Sequence, residues 1–189
     1  MTKKVALLLT KNFETVEALA PVDIMRRAGL EVTTISLDQE QVVTSAQGVA
    51  VTADQLLHEV ADFTAFDALV LPGGGLDPQK YLDREKEVSF FAQSSDKLLA
   101  AICMAPVVVA SLGLLNDQTV VCYPTLASNL EGNGAKYQDQ KTVYLEEQVI
   151  LTGQAPGVAY DFGFEIVRVL LGAEKANAVA QEMFFSYKA

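Results

Sequence analysis

The stretch LLAAICMAP, residues 98–106, decides how the fold of this chain is interpreted. Residues 98–102 form a short, wholly apolar run, which is typical of a strand buried on both faces of a parallel sheet. Cys103 follows at once, and a helical pattern begins at about Met104. Small residues on either side of the cysteine permit a sharp strand-to-helix turn. Such an elbow predicts a sulfur exposed at a helix N-terminus, where the dipole and free N–H groups would lower the pKa of the thiol.

The same cysteine has a second interpretation. Cysteine is common in buried apolar segments, where it behaves as a small hydrophobic residue. The local pattern therefore leaves a reactive and a structural Cys103 about equally supported. Cys122, inside the apolar residues 120–123, is predicted to be structural. The two cysteines form no CxxC pair and no signal peptide is evident, so we expect reduced thiols and a cytoplasmic location.

Further apolar runs lie on both sides of this stretch. They predict strands at 5–9, 31–37, 68–71 and 119–122, and strand pairs at 42–44 with 49–52 and 143–145 with 149–152. Helical spacing predicts helices at 14–28, 54–60, 86–95, 104–112, 126–130, 160–171 and 173–183. This alternation predicts an α/β fold over residues 1–189 as a single domain, with a mostly parallel sheet, helices on both faces and a small added hairpin.

Composition restricts the function further. A formal charge of −10 argues against binding to nucleic acid or to an anionic membrane, which both require surplus Lys and Arg. Residues 98–115 carry no charge and approach the length of a membrane span, but Pro106 and Gly113 interrupt them. One histidine, His58, and two distant cysteines give no metal-ligand spacing. We expect no metal, no cofactor, no nucleic acid and no membrane partner.

Two other sequence features directly follow the ends of predicted strands. The first is PGGG, residues 72–75, whose glycines let the backbone approach a ligand and point N–H groups at it. It predicts an oxyanion site, although a flexible turn is an equally simple explanation. It matches neither the GxGxxG nor the GxxxxGK[ST] spacing, so no nucleotide is inferred.

The second feature is NFETVE, residues 12–17, which follows the first strand. Glu14 fits an ordinary partner of the helix dipole. Glu17 is different if it faces the sheet edge, because desolvation and a neighbouring thiolate would raise the pKa of its carboxyl group. The protonated carboxyl could then donate a hydrogen bond to sulfur and move a proton. Ligands of such sheets gather at the carboxyl ends of the strands, where all three features lie.

Taken together, these motifs resemble a known family. VALLL (5–9), the two glutamates, PVDIMRRAG (21–29), LPGG (71–74), AICMAP (101–106) and TGQAPG (152–157) occur in order and cover essentially the whole chain. They resemble the ThiJ/PfpI superfamily, in the branch of a parkinsonism-associated human protein and its bacterial relatives. The resemblance implies a flavodoxin-like three-layer sandwich that usually forms a homodimer. The end of the first helix, at Arg26 and Arg27, is a candidate dimer face or simply a solvated helix end.

The resemblance also implies a site. Cys103 would be a nucleophile that oxidises readily to sulfinic acid, Glu17 its protonated partner, and Gly74 and Met104 the oxyanion amides. Activities assigned in the family include glutathione-independent glyoxalase, deglycation of methylglyoxal adducts, chaperone action and redox sensing. Gly73 is a further oxyanion or substrate-binding candidate, and Asn12, Glu14, Tyr123 and Pro156 are candidates for the pocket.

The sequence departs from the family pattern in two places. Tyr123 stands where many relatives have a histidine, and Gln47 stands where some carry a basic residue. His58 is the only histidine, and it lies in a predicted polar helix far from Cys103 along the chain. A Cys–His dyad is therefore not expected, which disfavours a protease or amidotransferase. We expect an enzyme acting on small dicarbonyls such as methylglyoxal through Cys103. The alternatives are a redox-responsive or chaperone-like stress protein and, last, a binding module with an incidental cysteine.

Overall fold

Eleven strands appear in a computed structural model that describes residues 2–187. In chain order they are β1 (Lys4–Leu9), β2 (Glu31–Ser36), β3 (Val42–Thr44), β4 (Ala50–Thr52), β5 (Gln55–Leu56), β6 (Ala68–Leu71), β7 (Leu98–Ile102), β8 (Thr119–Val120), β9 (Lys136–Tyr137), β10 (Thr142–Leu145) and β11 (Ile150–Gly153). Seven of them form a central sheet in the order β10-β11-β7-β6-β1-β2-β5. All neighbours in it pair in parallel except β10 with β11.

The described residues also form seven α-helices. They are α1 (Thr15–Arg27), α2 (Gln79–Leu82), α3 (Glu85–Ala92), α4 (Ala105–Ser111), α5 (Ala127–Gly132), α6 (Ala159–Leu171) and α7 (Ala173–Glu182). Short 3₁₀ helices occupy Leu57–Glu59, Phe63–Ala65, Pro124–Leu126 and Pro156–Val158. No helix in this part of the chain is both long and apolar enough to cross a membrane. The uncharged residues 98–115 instead form β7, α4 and the turn after it.

The sheet separates two hydrophobic cores. Alternate residues of β1 face opposite sides, so Leu7 belongs to one core and Leu8 to the other. Helices α1, α6 and α7 cover the first core, and α3, α4 and α5 cover the second. Counted along the chain, the long parallel strands β1, β2, β6, β7 and β11 lie in the order 2-1-3-4-5, which is the flavodoxin-like order. The predicted three-layer fold, including the added hairpin β3–β4, is confirmed.

Two local predictions are wrong. Residues 54–60 do not form a helix: β5 pairs with the edge of β2, and a 3₁₀ helix follows. The reason is that the Asp54 carboxylate accepts hydrogen bonds from Thr34 and Arg26 rather than capping a helix. The strand predicted at 119–122 is confined to β8, which pairs with β9 outside the central sheet. The single domain predicted for 1–189 stays a prediction, and residues 1, 188 and 189 lie outside the described residues.

Candidate functional site

The carboxyl ends of three neighbouring strands carry the candidate site. Cys103 follows β7, Gly73 and Gly74 follow β6, and Glu17 lies in the first turn of α1, after β1. The Glu17 carboxyl lies next to the Cys103 thiol, close enough for each group to shift the pKa of the other. The backbone amides of Gly74 and Met104 also reach the sulfur. The structure therefore brings these five predicted residues together, next to the point where the strand order reverses and ligands of such sheets bind.

The elbow at Cys103 is strained. Its φ is 67°, in the left-handed region that residues with a side chain rarely adopt. Such a conformation costs of order 1–3 kcal/mol and persists only where surrounding contacts impose it. Here Cys103 N donates to Gly153 O at 2.9 Å, and Cys103 O accepts from Tyr123 N at 2.8 Å. The two neighbouring segments thus hold the sulfur in position from both sides.

Burial of the sulfur corrects one expectation. Cys103 is only 8% exposed, so the elbow does not present an openly exposed thiol. Burial and the negative charge of Glu17 raise the pKa of the Cys103 thiol to about 12, although the Gly74 and Met104 amides act in the opposite direction. The lowered pKa expected from the helix terminus is therefore wrong, because burial first and Glu17 second outweigh the two amides. Ionisation of Cys103 depends on the protonation of its partner.

Glu17 is fully buried. Its Oε2 accepts a hydrogen bond from Gly73 N at 2.9 Å, and its Oε1 is the one buried side-chain oxygen among the described residues without a hydrogen-bond partner. Burial raises the pKa of Glu17 to about 7, and the charge of Glu14 contributes in the same direction. A proton on Oε1 would turn this unpartnered oxygen into a hydrogen-bond donor. Near neutral pH the two groups therefore titrate as a coupled pair, and when one proton remains the order of their pKa values favours thiol with carboxylate over thiolate with carboxylic acid.

Glu14 and Asn12 act through local structure. The Glu14 side chain caps α1 by accepting from Glu17 N at 2.9 Å, as expected of a dipole partner. Asn12, with a φ of 65°, is exposed, and its backbone oxygen lies against Gly74. Glu14 N in turn donates to Gly73 O at 2.9 Å. The loop before α1 is thus fastened to the glycine loop after β6.

Tyr123 and Pro156 occupy the same edge of the sheet. Tyr123 is 39% exposed beside the elbow that its amide supports. Pro156 begins the 3₁₀ helix that follows β11, the neighbour of β7. His58 lies beyond β5, four strands from β7, which corresponds to roughly 19 Å of sheet. The only imidazole of the chain is therefore far from the thiol.

Sequence reasoning missed Thr152, a supporting residue. This side chain is fully buried, and its Oγ1 accepts from Val121 N at 3.2 Å and donates to Val143 O at 3.3 Å. It fixes the segment that leads to Tyr123 and hence to the Cys103 elbow. A threonine at the end of an apolar strand gave no local signal of this role. No cluster of three or more His, Cys, Asp or Glu residues suited to a metal occurs in residues 2–187.

The glycine loop leaves no room for side chains at two positions. A Cβ atom on Gly73 would lie 2.6 Å from Cys103 Cβ and 2.7 Å from Glu17 Oε2. A Cβ atom on Gly74, whose φ is 118°, would lie 2.5 Å from both Asn12 O and Glu14 N. Gly75 has no such neighbour within 4 Å. The close approach of Gly73 and Gly74 is what puts their amides against Glu17 and Cys103.

This difference predicts the effect of alanine at adjacent positions. Gly74→Ala is expected to lower the free energy of unfolding by about 1–3 kcal/mol, because its methyl group would meet backbone atoms that cannot move freely. Gly75→Ala, in open space, is the matched control and should change stability by less than about 0.5 kcal/mol. Urea unfolding of both variants measures this. Equal stabilities would contradict the close packing of the Gly74 backbone.

Comparison with known proteins identifies the family. The model of the DJ-1/PfpI family matches residues 3–169. The chain belongs to the DJ-1/PfpI family. It is 33% identical over 190 residues to protein dj-1beta of Drosophila melanogaster, covering 99% of this chain and 100% of the relative. It is 32% identical over 171 residues to the putative cysteine protease YraA of Bacillus subtilis (strain 168), covering 90% and 99%.

Solved structures of similar proteins share the fold. The VC2308 protein superposes with a TM-score of 0.87 at 31% identity, covering 98% of this chain and 95% of that one. Toxoplasma gondii DJ-1, solved in an oxidized form, gives a TM-score of 0.84 at 26% identity, covering 98% and 100%. The family and the flavodoxin-like fold that the sequence motifs predicted are thereby confirmed.

Proposed function

We propose that this DJ-1/PfpI protein is a cysteine-dependent stress-response enzyme that converts small dicarbonyls such as methylglyoxal to hydroxy acids without glutathione. One observation carries the proposal: a buried carboxyl with a pKa near neutrality contacts the sulfur of a strained elbow cysteine. A group that titrates near the working pH can both accept and return a proton. The amides of Gly74 and Met104, which point at the sulfur, supply donors beside the reacting carbon.

The proposed reaction needs no external oxidant or reductant. The Cys103 thiolate adds to the aldehyde carbon of methylglyoxal, and the new alkoxide takes a proton to give a hemithioacetal. Glu17 then removes the hydrogen of that carbon as a proton, which leaves an enediol. Return of a proton to the neighbouring carbon gives a thioester of lactate. Water hydrolyses the thioester, so the aldehyde carbon is oxidised, the ketone carbon is reduced, and Cys103 is released as a thiol.

Wild-type protein incubated with methylglyoxal in D₂O, without glutathione, tests this proposal. We expect lactate to accumulate above the buffer control, with deuterium at C2, because a proton carried by Glu17 exchanges with solvent. Proton NMR of the product measures both the yield and the label. Lactate formation no faster than in buffer would overturn the proposal, and lactate without deuterium would show that the migrating hydrogen does not exchange with solvent during the reaction.

Peptide hydrolysis is not proposed, although YraA is named a putative cysteine protease. Such hydrolysis uses a base that also protonates the leaving amine, most often an imidazole beside the thiol. His58 lies beyond the edge strand β5, and it lines a separate groove with Leu37 and Phe90. The Cys103–Glu17 pair offers a single shared proton instead.

A redox-sensing role is the second candidate, because the same contacts suit an oxidised sulfur. The unpartnered Glu17 Oε1, once protonated, could donate to a sulfinate oxygen, and the Gly74 and Met104 amides could bind the other. Peroxide would oxidise the thiolate in two steps. Each step transfers one oxygen atom from peroxide to sulfur and releases one molecule of water or hydroxide. The oxidized form of the Toxoplasma gondii relative supports this candidate.

Mild peroxide is therefore expected to add two oxygen atoms selectively to Cys103. Cys122 should stay reduced because it is fully buried, with its Sγ 3.4 Å from Tyr123 O. Peptide mass spectrometry after a peroxide titration measures oxidation at each cysteine. Equal oxidation of the two cysteines would contradict the proposal that the site makes Cys103 selectively reactive toward peroxide.

We also propose that the protein is a cytoplasmic homodimer. Two free cysteines fit a reducing compartment. Val16, at the start of α1, and Val42 and Val49, in the hairpin segment, are exposed by 42–55%. Hydrogen bonds from Thr15 to Gln47 join these two elements, so the exposed valines belong to neighbouring surfaces. Light scattering of the wild type and of Val16→Glu tests this: a monomeric wild type would overturn the dimer.

A further inference from the structure

Tyr81 is a buried polar side chain that the proposed mechanism does not use. It lies in α2 and is fully buried in the core beneath the glycine loop. Its hydroxyl group donates to Pro72 O at 2.7 Å. A phenylalanine ring would fill nearly the same space, so packing alone does not require this hydroxyl.

The oxygen that Tyr81 contacts belongs to the peptide unit that holds Glu17. The carbonyl of the Pro72–Gly73 peptide accepts from Tyr81, and the N–H of the same peptide donates to Glu17 Oε2 at 2.9 Å. One planar unit therefore links the phenol to the carboxyl group. Through the Glu17–Cys103 contact, the connection continues to the sulfur.

We propose that Tyr81 is a positioning residue, whose hydroxyl fixes and polarises the Pro72–Gly73 peptide and thereby sets the protonation of Glu17. This inference rests on the proposed function, because it assumes that the Glu17–Cys103 pair does the chemistry.

The physical basis has two parts. A hydrogen bond accepted at a carbonyl polarises the peptide and strengthens donation by its N–H, by about 10–30% per bond. The bond also prevents rotation of a peptide that is followed by two glycines, Gly73 and Gly74, whose backbones are otherwise permissive. If the peptide turned over, its carbonyl oxygen instead of its N–H would face the Glu17 carboxyl. Tyr81 holds the donor where the carboxylate needs it.

The phenol is suited to be a permanent donor. Burial, together with the charge of Glu17, raises the pKa of the Tyr81 hydroxyl far above its ordinary value. It therefore keeps its proton over the whole range in which Glu17 titrates. Pro72 O is a fixed acceptor, so the direction of the hydrogen bond does not change with pH.

NMR titration of Glu17 tests the role directly, without any dicarbonyl assay. The readouts are the pH midpoint of the Glu17 side-chain carboxyl carbon and the chemical shift of the Gly73 amide proton. In Tyr81→Phe the Gly73 N–H should donate less strongly, which destabilises the carboxylate. We expect the Glu17 midpoint to rise by about 0.5 pH unit and the Gly73 amide proton to move upfield.

Tyr187→Phe is the matched control. This variant also removes a hydrogen bond donated by a tyrosine hydroxyl. The acceptor is Glu165, which lies on α6 and away from the glycine loop. In this variant the Glu17 midpoint should equal that of the wild type. If Tyr81→Phe does not fold, 3,5-difluorotyrosine at position 81 gives the opposite test, because a more acidic phenol is a stronger donor and should lower the midpoint.

The outcomes separate this proposal from the proposed function. A Glu17 midpoint unchanged in every Tyr81 variant that folds, or moved equally by Tyr187→Phe, overturns the positioning role even if the enzyme converts methylglyoxal. A shifted midpoint in a protein that forms no lactate upholds the positioning role and rejects the proposed reaction.

Discussion

Cys103→Ser is expected to lower lactate formation from methylglyoxal by roughly 1,000-fold or more, to the level of the buffer control. Serine keeps the size of the side chain, but its hydroxyl ionises at far higher pH than a thiol. Glu17, with a pKa of about 7, can share a proton with a sulfur but is too weak a base to generate a serine alkoxide. The same carboxyl would therefore face an oxygen that stays protonated.

Cys122→Ser is the matched control for this variant. Cys122 is buried, and its sulfur contacts Tyr123 O, an acceptor that a serine hydroxyl can also use. We expect turnover within about threefold of the wild type, since Cys122 takes no part in the proposed reaction. Initial rates of lactate formation compare the three proteins at equal concentration, after circular dichroism has shown that each is folded. Lactate formation by Cys103→Ser at half the wild-type rate would eliminate Cys103 as the nucleophile.

The site could be predicted from sequence to the extent that strand ends define it. Apolar runs at residues 5–9, 68–71 and 98–102 identify buried parallel strands, and the carboxyl ends of such strands meet at one edge. That rule alone brings Glu17, the glycine loop and Cys103 together. The burial of the sulfur could not be predicted in the same way. It results from Gly73 lying against Cys103 Cβ, a contact between distant segments that no local pattern specifies.

Long-range hydrogen bonds explain the other differences. Thr152 and Tyr81 each support the site through one hydroxyl group, bonded to backbone 31 and 9 residues away respectively. Hydrophobic periodicity describes which face of an element is buried, but it carries no information about such single polar contacts. The same applies to Asp54, whose bonds to Thr34 replaced the expected helix by the edge strand β5. Sequence patterns therefore predicted the framework better than the contacts that tune it.

The pH dependence of stability should report directly on the buried Glu17 carboxyl. Its pKa is raised from 4.5 to about 7 in the folded chain, so folded protein holds this proton more tightly than unfolded protein does. Stability from this group is complete below pH 4.5, falls as pH rises, and is lost above about pH 7. The linkage relation gives a total loss of about 3 kcal/mol over this window.

Glu17→Gln is expected to remove that loss. The glutamine amide oxygen can accept from Gly73 N and its NH₂ group can face the Cys103 sulfur, without any charge to desolvate. The variant should match the wild type near pH 4.5 and exceed its free energy of unfolding by about 3 kcal/mol at pH 8. Urea unfolding from pH 4.5 to 8.5 measures both curves, and Glu40→Gln, at an exposed carboxyl, should run parallel to the wild type.

A wild-type curve parallel to that of Glu17→Gln would show that the carboxyl does not titrate in this range, and the shared proton would have to be abandoned. A more stable Glu17→Gln that forms lactate at least 100-fold more slowly would support the opposite conclusion. The chain would then keep an ionisable group in its core at a cost in stability that a neutral amide avoids. Such a cost is typical of functional sites, where the arrangement that serves chemistry differs from the one that best stabilises the fold.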